Sequence, residues 1–199
     1  MFGDTIKPAL ARHGHTRFDA LDSRGRASKL RTNCQPITVS GQPELYASIG
    51  ENGPRLGAGR VIAHTGFKLT WRRDYQRRGD DCVLASAKPN LVITYTLPEA
   101  KGRLASPAAE NWARFRAGVE AHERVHGRII KEMVEEIVVL SVGLQEKNDP
   151  SCKKIRATLT DRLRDISGRE RARQRDYDRA EFSDNGAVHQ LILMLVNGG

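Results

Sequence analysis

No apolar run in this 199-residue chain approaches the roughly 18 to 20 residues that a membrane-crossing helix requires, and the mean hydropathy is -0.53. A spanning helix is therefore excluded. The three cysteines, Cys34, Cys82 and Cys152, never fall in a CxxC pair, which removes a zinc ribbon or a thioredoxin-type site. Residues 1 to 34 contain no apolar core of about 7 to 15 residues, so no signal peptide is visible in the chain. No aromatic-rich basic patch accompanies the arginines at 169, 171 and 173, which counts against single-stranded nucleic acid as a partner. Internal repeats and low-complexity tracts are also missing.

What remains has the composition of a globular domain, 39% apolar and 29% charged, in a chain long enough to bury a core. The net charge of +9 is unevenly spread: residues 1 to 33 carry seven basic and three acidic groups, residues 153 to 179 ten and five, and the rest balance. Such a field attracts nucleic acid, an anionic surface or an acidic protein. The simpler reading is a solvated helix face plus a loose tail. Residues 1 to 34, polar, basic and aperiodic, are expected to be a poorly ordered extension, with residues 35 to 199 forming a single domain.

The pattern predicts strands followed by helices. A short strand, a turn, a short helix near Pro43 and a loop are read from 35 to 57, then strand-like runs at 61 to 75 and 82 to 98. The segment KPN at 88 to 90 is a turn signal within the second run. After it Leu91, Ile93, Tyr95 and Leu97 share one face, and Pro98 marks a strand near a sheet edge. Ser106 and Pro107 read as cap and first residue of a helix of about 40 residues, with Trp112, Phe115, Val119, His122, His126, Ile130, Met133 and Ile137 on one stripe. Gly118, Gly127 or Gly143 could divide it. A second helix carries Ile155, Leu159, Leu163 and Ile166, and if it continues past Gly168 its charged run mostly faces water. The terminal apolar segment from Ala187 must be buried.

The strongest chemical signal is HERVH at 122 to 126. In a helix His122 and His126 stand one turn apart, point the same way and can bind one zinc ion. Glu123, about 100° around the helix, is poorly placed as a ligand but can act as general base on a water that the metal activates. An accidental match is expected in only about 0.01 chains of this length. Two hydrogen-bonded core histidines beside a surface glutamate are the plainer alternative.

A catalytic zinc normally has three protein ligands and one open position. The extended HExxHxxGxxH pattern is ruled out, because Ile129 and Glu132 stand where its glycine and third histidine belong. Glu135 and Glu136 lie about 15 Å further along the helix. The third ligand must come from elsewhere: Asp178, Glu181, Asp184 and His189 are downstream candidates, and His64 is one upstream, although a lone strand histidine is more often structural. Cys82 and Cys152 could pair, or all three cysteines could remain thiols; spacing leaves these readings even.

The segment NWARFRAGVEAHERVHG, with VSGQPELYASIGENGP, TWRRDY, DCVLASAKPNLVITYTLP, Cys152 and the pair Tyr177 and Asp178, resembles a bacterial domain-of-unknown-function family described as secreted zinc-dependent proteases. The resemblance covers residues 38 to 186. It implies a disulfide between Cys82 and Cys152 and a secreted or periplasmic location. Relatives follow Tyr-Asp with Thr-x-His-Gly, whereas here Ser183, Asp184, Asn185 and Gly186 stand two residues later without the histidine. That departure leaves Asp178, Asp184 or His189 to complete the site, Asp178 first. The expectation is an α+β, zincin-like domain, with a small mixed or antiparallel sheet on a long helix bearing HExxH plus a second C-terminal helix. It would be a zinc metallopeptidase acting on peptide or protein substrates, with His122, His126 and Asp178 on the metal and Glu123 as base. The alternative is a noncatalytic binding module whose basic C-terminal helix contacts an anionic partner.

Overall fold

The hairpin that dominates the sheet follows from alternation: along 64 to 78 every second side chain from Leu69 to Tyr75 is partly covered and those between are exposed. The computed structural model describes residues 31–39, 45–56, 59–100 and 102–197. Of the extension expected at 1 to 34, residues 1 to 30 lie outside them, whereas Arg31 to Cys34 are part of a strand. In chain order the elements are β1 (Arg31–Val39), α1 (Leu45–Asn52), β2 (Arg55–Leu56), β3 (Gly59–Arg60), β4 (His64–Arg78), β5 (Asp81–Ala100), α2 (Ala108–Ser141), β6 (Gln145–Glu146), α3 (Lys153–Phe182) and α4 (Ala187–Asn197). β4 and β5 run antiparallel from Arg78↔Asp81 to His64↔Thr96, turning at Gly79, whose φ of 62° is readily adopted by glycine. β1 adds parallel to β5 at 92 to 100, and β6 pairs with Cys82 and Val83 at its start. The class is α+β with a mixed sheet, and no helix among the described residues is long and apolar enough to cross a membrane.

Two strand expectations need correction. KPN is no turn, since β5 runs unbroken for 20 residues, and LVITYT is not an edge, because Val92 to Thr96 lie between β1 and β4. The prolines misled for one reason. Among the described residues Pro89 pairs only with β4 and Pro98 only with β1, so each sits where one side of β5 is without a paired strand and a missing N–H need cost no ladder bond.

Leu91, Ile93, Tyr95 and Leu97 project from β5 onto the apolar stripe of α2, where Phe115, Val119, Ile130 and Met133 complete one core. α2 is 34 residues long, shorter than expected, and stops at Ser141, after which Gly143 has φ 89° and donates to Leu84 O at 2.9 Å. Gly118 and Gly127 do not divide it. A Cβ at Gly118 would lie 2.1 Å from Leu191, and one at Gly127 1.9 Å from the Tyr95 hydroxyl, so both glycines allow close packing. Ser106 does not cap the helix backbone; its hydroxyl meets Glu110 Oε1 at 2.7 Å.

The Cys82–Cys152 disulfide ties β5 to the start of α3, over a small second core of Leu84, Ile155 and Leu159. Cys34 lies in β1, paired in register with Tyr95. α3 continues through Gly168 for 30 residues, antiparallel to α2, because its charged half finds partners: Arg169 bonds Glu136, and Arg173 bonds Glu132 at 2.5 Å. The terminal segment forms α4, buried on one side only. Val188 is enclosed and Leu191 packs on the core, while Leu193, Met194 and Val196 are exposed.

Candidate metal centre

α2 places His122 and His126 on its buried side, one turn apart, with Nε2 atoms 2.9 Å from each other. α3 brings Asp178 across to them, its Oδ1 lying 3.2 Å from His122 Nε2 and 2.8 Å from His126 Nε2. These donor atoms fall within 4.8 Å of one another. Ligands at 2.0 to 2.1 Å from a tetrahedral zinc stand about 3.3 Å apart, so the triangle requires only small outward movement to accept such an ion.

The proton positions favour the same use. Gln174 Nε2 donates to the buried Glu170 carboxylate at 2.8 Å, which orients the amide and turns its carbonyl oxygen to His126 Nδ1. An amide oxygen only accepts, so Nδ1 carries a proton; the Nε2 proton is the one shared with Asp178, and its release turns the Nε2 lone pair to the cluster. His122 is held by rings instead: Tyr177 stacks on it at 4.8 Å and Phe182 meets its edge at 5.6 Å. Its Nδ1 has no hydrogen bond among the described residues, and Glu181 Oε2 lies 3.8 Å from it.

The charges are mutually adjusted. Burial alone would lower the His126 pKa, but the hydrogen bonds of Asp178 and Gln174 and the charges of Asp178 and Glu123 raise it. Burial likewise opposes ionisation of Asp178, yet hydrogen bonds from His122 and His126 hold its carboxyl well below the usual carboxylate range. Burial and the Glu181 charge push the Tyr177 phenol up. Without a cation this is an ionised acid between two imidazoles, the donor set a divalent metal takes.

Glu123 is buried beside the triad. The Thr65 hydroxyl of β4 lies 2.5 Å from its Oε2 and 3.1 Å from its backbone oxygen, which fixes one carboxylate oxygen and leaves Oε1 without a hydrogen bond among the described residues. A cavity of about 470 Å³ opens over these groups, walled by the 61 to 67 segment on one side and by α3 on the other. Of the other candidates, His64 lines the cavity without joining the cluster, Asp184 is exposed after α3, and His189 sits on α4. Thr65, Glu170 and Gln174 were not expected. The spacing from Ile166 through Glu170 and Gln174 to Asp178, one turn at each step, carried a signal for the last two. Nothing local marks Thr65.

Residues 34–186 match the sequence model of a family described as bacterial protein of unknown function (DUF922). The chain belongs to that family. No curated protein and no solved structure matches it. The match covers all the DUF922 residues that form the cluster, from Thr65 to Asp178, and ends at Gly186.

Proposed function

We propose that this DUF922 protein is a zinc-dependent peptidase with a zincin-like site, in which His122, His126 and Asp178 hold the ion and Glu123 is the general base. The observation that supports it is the convergence of the three donor atoms beside a buried carboxylate anchored by Thr65. When bound there, zinc supplies a Lewis acid that acidifies water to a pKa of about 7 and polarises a carbonyl. Glu123 Oε1 takes a proton from the attacking water as the new C–O bond forms. It returns the proton to the amine as the C–N bond breaks. Hydrolysis is thereby balanced with no other reactant.

Among the described residues β4 has no strand on its far side, and His64, Thr65 and Phe67 line the cavity. An extended substrate can add to that edge, with β4 taking the part first expected of LVITYTLP. The Cys82–Cys152 disulfide fits a secreted or periplasmic protein. The rival reading, a binding module with a basic helix, loses force because Arg169 and Arg173 are already paired with Glu136 and Glu132. Metal analysis of untagged protein tests the proposal: about one zinc per chain is expected, and Glu123→Gln should keep it while hydrolysis falls by roughly 10² to 10⁴ fold. Zinc-free protein, or equal turnover by both forms, overturns it.

A further inference from the structure

On α3 several arginines outside the cavity are paired: Arg169 with Glu136, Arg173 with Glu132, and Arg179 with Asp176 at 3.0 Å. Arg171 and Arg175 differ, because both line the cavity over the candidate metal centre and neither has an ion pair or hydrogen bond among the described residues. They stand one turn apart on an exposed face, and two like charges at that spacing repel unless an anion lies between them. The acids of the same cavity make their contacts elsewhere, Glu123 to Thr65, Glu170 to Gln174 and Asp178 to the two histidines, and none forms an ion pair with either arginine.

We infer that Arg171 and Arg175 form a carboxylate-binding subsite, so that the substrate class is a peptide with an acidic group close to the bond cleaved. This rests on the peptidase reading of the site and adds its specificity. Arg175 is three residues and Arg171 seven residues before Asp178, about 4.5 Å and 10.5 Å along the helix. At about 3.3 Å per extended residue, the carboxylate lies within roughly three residues of the scissile carbonyl. Guanidinium groups grip a carboxylate through paired N–H donors, a geometry that lysines would not reproduce. The cavity is also lined by Ile62, Phe67, Phe182 and Val188, an apolar lining that suits an apolar residue beside the acid. Those walls favour a peptide over a nucleic-acid phosphate backbone. The carboxylate comes from an Asp or Glu side chain or from a free C-terminus.

The test measures binding of fluorescent hexapeptides to zinc-loaded Glu123→Gln protein, which should not turn them over. One peptide carries an internal Glu and an amidated end, a second Gln and a free end, a third Gln and an amidated end. Binding about tenfold tighter for the first or the second than for the third is expected, and which of the two wins identifies the source. That preference should vanish in Arg171→Ala/Arg175→Ala and survive in Arg169→Ala. No preference, its loss in Arg169→Ala to the same extent, or a single-stranded oligonucleotide bound with the same arginine dependence in place of the peptides overturns the inference. Zinc content is read on the same samples: absent zinc with an intact arginine-dependent preference defeats the peptidase reading alone, and bound zinc without preference defeats this inference alone.

Discussion

Thr65 and Glu123, 58 residues apart, meet through a hydroxyl and a carboxylate oxygen 2.5 Å from each other, joining β4 to the helix that carries both histidines. The contact fixes the rotation of the carboxylate without touching the three converging donors. Thr65→Val should therefore leave zinc content unchanged and lower kcat about tenfold, because removing one oriented hydrogen bond to a charged group costs roughly 1.5 kcal/mol. Steady-state kinetics beside metal analysis would check it. A loss of zinc would mean that Thr65 maintains the site as a whole.

Gln174 acts one step behind His126. Replacing it by Leu removes the acceptor that fixes the ring's tautomer and strands Glu170, so zinc affinity should fall by about 10- to 100-fold. Competition with a chromophoric chelator measures this directly. Asp178→Ala should weaken zinc by at least as much, with Asp184→Ala and His189→Ala close to wild type. An effect confined to Asp184 or His189 would reassign the third ligand.

Asp149 gives a pH signature away from the site. It is buried and accepts the N–H groups of Lys153 at 2.9 Å and Ile155 at 3.0 Å, anchoring the first turn of α3. Burial would raise its pKa, but the backbone N–H groups of Ile155, Lys154 and Lys153 and the Lys154 charge lower it. An acid held below its unfolded value near 3.9 stabilises the fold above that pH, and the gain disappears as pH falls through the lower folded value. Asp149→Asn should accordingly melt earlier than wild type at pH 7, and the two melting curves should converge below about pH 4. Parallel curves would rule out this role for the carboxylate.

The disulfide closes a loop with a sequence separation of 70, which by chain entropy contributes about 4 kcal/mol. Cys82→Ala/Cys152→Ala should lower Tm by roughly 10 °C, read by circular dichroism in the presence of zinc. An unchanged Tm would indicate that packing of Ile155 and Leu159 alone secures the start of α3.

Much of this was written locally in the chain. The HERVH spacing placed two imidazoles on one face because a helical turn is 3.6 residues, and the stripe from Trp112 to Ile137 named the side of α2 that meets the sheet. Family likeness supplied the pairing of Cys82 with Cys152. Other features depended on neighbours distant in sequence. Pro89 and Pro98 suggested a turn and an edge, yet β5 is central at Val92 to Thr96, since whether a proline costs a hydrogen bond depends on which strands flank it. Gly118 and Gly127 suggested breaks, yet Leu191 and Tyr95 fill the space they leave. The helix beyond Gly168 persists because Glu132 and Glu136 on α2 meet its arginines. That same register decides which of four downstream groups reaches the imidazoles. Side-chain periodicity is a property of one segment and can be read from it; the sliding position of α3 on α2 is set by packing and ion pairs between segments, and only the folded chain brings Asp178 and Thr65 to opposite sides of one cavity.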